Sequence, residues 1–251
     1  MTTEREATPT PDVAEPSEVR THKWGFGAFL FVFAVFVLSA VVIGALVSAV
    51  APQAVGSPSV IVIGTMVPTV LATGVALLVT KLRGNGPRID LRWSMRAEDV
   101  RAGFKWGLIG LICTTVAAFL WTNLVGDQNA QSAVGALVDN QRMPIALAIA
   151  MFLFVWLIGP VCEEIIYRGL LWGALERLKW GRWAVFVLTT IIFAVSHLEP
   201  LRTSLLLVIG IPIGLARLFT GRLGASIVAH QVNNFLPAVA TLLVAVGAMP
   251  A

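Results

Sequence analysis

From residue 24 to residue 246 the chain alternates long apolar runs with short polar connectors, and within the runs polar and apolar residues do not alternate one by one. Runs of about 18 residues or more are long enough to cross a bilayer as helices, and only helices or closed barrels satisfy the backbone in hydrocarbon. Barrel strands would alternate residue by residue, so the pattern predicts helices. Seven spans are expected, over about 24–50, 59–80, 103–125, 144–178, 183–197, 203–220 and 223–246. The fourth would be about 50 Å long, more than a bilayer, and must tilt, kink at Gly159-Pro160 or protrude. The fifth and sixth are short enough to fall below a full span. The fold class is therefore all-α, a polytopic transmembrane bundle of about seven spans with a polar intramembrane cavity.

Residues 1–22 are rich in Thr, Pro and Glu without apolar periodicity, which predicts a disordered tail ahead of a helical domain over 23–251. Composition sharpens the membrane assignment: 57% of the 251 residues are apolar and 13% charged, and the mean hydropathy is +0.83. The net charge of +4 does not point to nucleic acid, because the basic residues sit in short connectors where they set orientation. The most basic connector runs from Lys81 to Lys105, and the positive-inside rule makes it cytoplasmic, with the N-terminus on the same side. Trp93 and Trp106 suit an interfacial level there, and the segment is compatible with an amphipathic surface helix. Cys113 and Cys162 lie in or beside apolar segments, which predicts buried free thiols rather than a disulfide.

Against this background two adjacent carboxylates, Glu163 and Glu164, stand in one of the most apolar stretches. Ionised groups are costly in hydrocarbon and usually face a bundle interior or a wet cavity. On a helix Glu164 and Arg168 are i and i+4 in the favourable order for an ion pair. Glu163 points about 100° away and stacks under Tyr167. One carboxylate is thus structural and the other free. Partners for the free one are two intramembrane histidines, each with a neighbour four residues away on one helix face: Phe193 with His197, and His230 with Asn234. Counted at 1.5 Å per residue, Glu163 and His197 each lie about 21 Å from the Leu178–Trp183 turn, and His230 and Asn234 lie about 12 and 18 Å from Arg222. Three segments therefore converge at one depth. Tyr167 and Phe193 read as packing residues around that layer, and His22 as a solvated residue at the membrane edge.

These residue types suit hydrolysis. A glutamate in a poorly hydrated cavity can take a proton from water and return it to a leaving amine. His197 can share that water, or Glu163, His197 and His230 can hold Zn²⁺ that activates it. His230 and Asn234 can donate to the oxyanion of a tetrahedral intermediate. No GxSxG serine site is present, Ser196 should point away from His197, Asp127 lacks an intramembrane aspartate partner, and Cys162 lacks a positioned base. A proton or solute site in a transporter is the competing use of such a cluster.

Glu163-Glu164-x-x-x-Arg168, Phe193-x-x-x-His197 and His230-x-x-x-Asn234, in this order, resemble the three motifs of the CPBP family (CAAX protease and bacteriocin-processing, or Abi) of intramembrane endopeptidases, which includes the type II CAAX prenyl endopeptidase. The resemblance covers residues 144–246. It implies that Glu163 is the catalytic glutamate, that Glu164 and Arg168 support it, that His197 takes part in water activation, and that His230 and Asn234 form an oxyanion or metal site. It further implies a metalloprotease-like enzyme or a metal-independent one with a glutamate-activated water, acting in the bilayer on a peptide or membrane-protein substrate. A catalytically idle relative serving as an immunity or partner-binding protein is the alternative within the family.

Overall fold

A computed structural model describes residues 21–126, 133–138 and 142–249. Residues 1–20 of the tail expected over 1–22, as well as Asp127 and Asp139, lie outside the described residues. Seven principal helices follow one another: α1 (Phe26–Val50), α2 (Pro58–Arg83), α3 (Ala97–Val125), α4 (Ile145–Arg177), α5 (Arg182–Ser196), α6 (Thr203–Thr220) and α7 (Leu223–Ala245). A short helix, Ala133–Val138, lies between α3 and α4. Among the described residues six spans are long and apolar enough to cross a membrane, and α5, with 15 residues, is shorter. The chain is an integral, multi-pass helical membrane protein.

The departures from expectation lie at the connectors. The segment from Gly84 to Arg96 is not an amphipathic surface helix; it folds back on the bundle around a single helical turn, Pro87–Asp90. Gly86 takes φ +90°, open to glycine at little cost. The Asp90 carboxylate then accepts bonds from Trp24 Nε1 at 2.8 Å and from Asn85 Nδ2 at 2.9 Å. This places Leu91 against Gly169, fully buried. α3 starts six residues earlier than expected because Asp99 closes a capping box, accepting from the Arg96 backbone N–H at 2.9 Å. His22 is half-buried rather than solvated: its ring stacks on Trp24 at 3.9 Å, and Arg177 donates to the His22 and Trp24 carbonyls. Of the two free thiols, Cys162 is buried, but Cys113 faces outward from α3 and is exposed.

The long α4 departs from the regular helix twice without breaking, through π-helical segments at Phe154–Ile158 and Ile165–Leu171. The cause of the first is legible: Pro160 has no N–H to return to the preceding turn, so carbonyls upstream need other donors. α7 supplies two. Gln231 Nε2 donates to Leu157 O at 3.2 Å and Asn234 Nδ2 to Val155 O at 3.3 Å. α7 also lies close along α3, where a Cβ on Gly103 or Gly107 would stand 2.5 or 2.6 Å from the Cβ of Val228 or Val232. Small residues that let backbones approach are the usual means of association between apolar helices.

Candidate active site

Four helices contribute groups to one polar cluster, three of them through side chains and one through a backbone carbonyl. α4 brings Glu163, Glu164, Tyr167 and Arg168 at the entry to its second π-helical segment. α5 brings Phe193, Ser196 and His197 at its C-terminal end, α7 brings His230, and α6 contributes the carbonyl of Gly210.

The cluster has a dry half and a wet half. In the dry half, Glu164 and Arg168 are both fully buried and form the expected ion pair, with Arg168 Nη1 donating to Glu164 Oε1 at 3.0 Å. Arg168 Nη2 donates to Gly210 O at 3.2 Å, and the guanidinium lies over the Phe193 ring at 4.4 Å. Arg168's own carbonyl accepts from Arg217 Nε at 3.0 Å. Arg217, near the C-terminal end of α6, is only 2% exposed, because backbone carbonyls and the Trp172 ring replace water around it.

His230 joins the halves. Its Nδ1 lies 3.0 Å from Glu164 Oε1 and its Nε2 lies 3.8 Å from Glu163 Oε2. A carboxylate oxygen is an acceptor, so Nδ1 is the donor to Glu164 and Nε2 is left facing Glu163. His197 has the same polarity, since its Nδ1 lies 2.7 Å from the carbonyl of Phe193, which can only accept. Both imidazoles therefore keep Nε2 for chemistry. Phe193 is the hub on which they rest, with ring centroids 4.7 Å from His197, 5.8 Å from His230 and 5.3 Å from Tyr167.

In the wet half, Glu163 keeps 29% of its side chain exposed and borders a cavity of about 320 Å³ together with Tyr167, Ser196 and His197. Tyr167 is more than packing: its hydroxyl lies 2.6 Å from Ser196 Oγ, which in turn donates to Phe193 O at 3.0 Å, so Tyr167 is the donor of the pair. Ser196 shares the cavity with His197 instead of pointing away, because the helix ends at Ser196 and His197 begins the turn. Asn234 is set apart from this lining, on the α7 face next to Val155. An apolar part of the lining comes from α1, with Val32, Phe33 and Phe36, and Thr69 of α2 adds to it.

The metal expectation fares differently from the polar cluster. Among the described residues no group of three His, Cys, Asp or Glu side chains is arranged to hold a metal ion. The residues present do not fit a resident zinc with Glu163, His197 and His230 as its ligands.

Several contributors were invisible in the sequence. Gly210 acts through its carbonyl and α1 through an apolar wall, and neither leaves a polar signature. Arg217 did leave one, as a charge within an apolar run.

Residues 145–236 match the family model of the type II CAAX prenyl endopeptidase, Rce1-like. A membrane-embedded CAAX protease, MroQ of Staphylococcus aureus (strain USA300), is 27% identical over 186 residues, which cover 70% of this chain and 72% of that protein. No solved structure matches the chain. The matched segment holds every motif residue of the cluster, from Glu163 to Asn234, and over it the chain is similar to the CAAX proteases embedded in membranes.

Proposed function

We propose that the protein is an intramembrane endopeptidase in which Glu163 activates a water molecule for attack on a peptide bond. The observation that carries this reading is the separation of the two carboxylates: Glu164 is fully buried in an ion pair, whereas Glu163 is accessible, lies 3.8 Å from His230 and borders a cavity with His197. Glu163 takes a proton from water as the oxygen attacks the carbonyl carbon, and returns it to the amine nitrogen as the C–N bond breaks. His197 accepts through Nε2 from the water's other hydrogen and orients it. His230, held by Glu164 through Nδ1, steadies Glu163. Asn234 Nδ2 has a second hydrogen beyond the one given to Val155 O and serves the oxyanion on the α7 side, joined by His230 when the imidazole carries a proton on Nε2 as well as on Nδ1. No step is routed through a metal, because the donor set does not close around one.

The substrate is a peptide or membrane-protein segment with an apolar side chain beside the scissile bond. The apolar side chains of Val32, Phe33 and Phe36 support this, since they line the same cavity as Glu163. Access is from the side of the basic connector, in keeping with the positive charge at Lys81, Arg83 and Arg88.

The test is a mass-spectrometric comparison of membrane peptides from cells carrying the wild-type protein or Glu163→Gln. Accumulation of uncleaved peptides with apolar residues at the missing cut supports the reading. Identical peptide profiles sink it.

A further inference from the structure

A second cavity, of about 360 Å³, lies at the ends of α4, α5 and α6 and is lined by Arg92, Arg182, Arg217, Trp172, Glu176 and Thr220 among others. Its charges do not balance. Arg92 pairs with Glu176 at 3.0 Å, and Glu176 also accepts from Trp172 Nε1 at 2.9 Å. The other two arginines donate only to neutral carbonyls: Arg182 Nη2 to Leu218 O at 2.6 Å, and Arg217 to Arg168 O and Gly221 O. Three guanidinium charges thus face a single carboxylate.

Capping of α6 accounts for part of this excess, since a helix C-terminus carries about half a negative charge. The positive end of α5 offsets that half, because α5 begins at Arg182 and has no acidic residue in its first turn. More than one positive charge remains uncompensated, next to a guanidinium that is almost fully buried. In a poorly solvated recess such a field concentrates anions, and forked guanidinium donors match the oxygens of phosphate.

We propose that this cavity is an anion site that takes a phosphate group between Arg92, Arg182 and Arg217. The ends of the spans place it at headgroup level, so a lipid phosphodiester and a soluble phosphate share the required chemistry. Occupancy is coupled to the catalytic cluster, because Arg217 Nε holds the carbonyl of Arg168, the partner of Glu164. The site itself stands on its own charges and does not depend on the proposed hydrolysis.

The experiment uses the purified full chain with two probes. Phosphatidylglycerol mixed into phosphatidylcholine nanodiscs reports lipid retention, and inorganic phosphate added in detergent reports a thermal shift. Arg92 and Arg182 are exposed, so the double variant R92Q/R182Q should fold. It should weaken apparent affinity about tenfold or more, as expected for the loss of charge-assisted bonds, and E176Q, which removes the competing carboxylate, should tighten it. A response to the lipid alone identifies a headgroup, and a response to phosphate alone identifies a soluble anion; both support the site. Binding by both probes that is indifferent to R92Q/R182Q and to E176Q overturns it.

Discussion

Glu163 and Glu164 are adjacent in the chain and differ almost wholly in environment, so their substitutions should fail in different ways. Arg168→Met leaves Glu164 buried without its cation, and breaking such a pair costs about 3–5 kcal/mol. Thermal unfolding in detergent should therefore show marked destabilisation of R168M. Glu163→Gln changes a half-open side chain of similar size; it should leave the melting temperature nearly unchanged and lower the cleavage rate by about 10²-fold or more. Dialysis against a chelator, followed by metal analysis, tests the donor set: the rate should persist without bound zinc, whereas loss of rate restored by added Zn²⁺ would contradict the geometry. At this scale the sequence was informative wherever a charge stood in an apolar run. The i, i+4 spacing of Glu164 and Arg168 specified their pairing, and helical depth brought His197 and His230 to the level of Glu163. What it could not supply was direction. That His230 turns one nitrogen to each glutamate, and that Ser196 joins His197, depends on where α5 ends and how α7 is rotated.

At the scale of elements, the π-helical stretches of α4 tie catalysis to helix packing. Gln231 and Asn234 both donate to α4 carbonyls just ahead of Pro160, so they form a matched pair of probes. Gln231→Ala should affect stability alone. Asn234→Ala should affect stability to a similar degree and in addition lower kcat by about 10²-fold, the usual loss for one oxyanion donor; equal kinetic effects from the two would reduce Asn234 to a packing role. Along the other face of α7, Gly107→Val places a branched side chain where a Cβ already lies 2.6 Å from Val232 Cβ. Overpacking of this kind costs about 1–3 kcal/mol, which should appear as a lowered melting temperature. Helix existence and order were legible because apolar runs are long and their connectors charged. The π-helical register was not, since Gly159-Pro160 signals a disturbance without saying which donors repair it. The basic connector was misjudged because its hydrogen bonds to Trp24 depend on a helix start 66 residues away.

On the scale of the whole molecule, a dry half of the cluster, fixed by α4, α6 and α7, supports a wet half that opens between α1, α2 and α5. The short α5 is what allows this, because it ends within the bundle and puts His197 at a turn rather than in a lipid-facing surface. In the proposed reading the apolar residues of α1 that line the cavity set side-chain preference. Phe33→Ala and Phe36→Ala should therefore raise KM for substrates with large apolar residues more than they lower kcat, as steady-state kinetics on a peptide series would show.

The most direct measurement of the central claim is cleavage of a membrane-inserted peptide substrate by the full chain reconstituted in proteoliposomes, comparing wild type, Glu163→Gln and His197→Ala, each with a matching thermal unfolding curve. The account predicts cleavage by the wild type, and near-complete loss in both variants with folding preserved. Cleavage at the wild-type rate by either folded variant would contradict it.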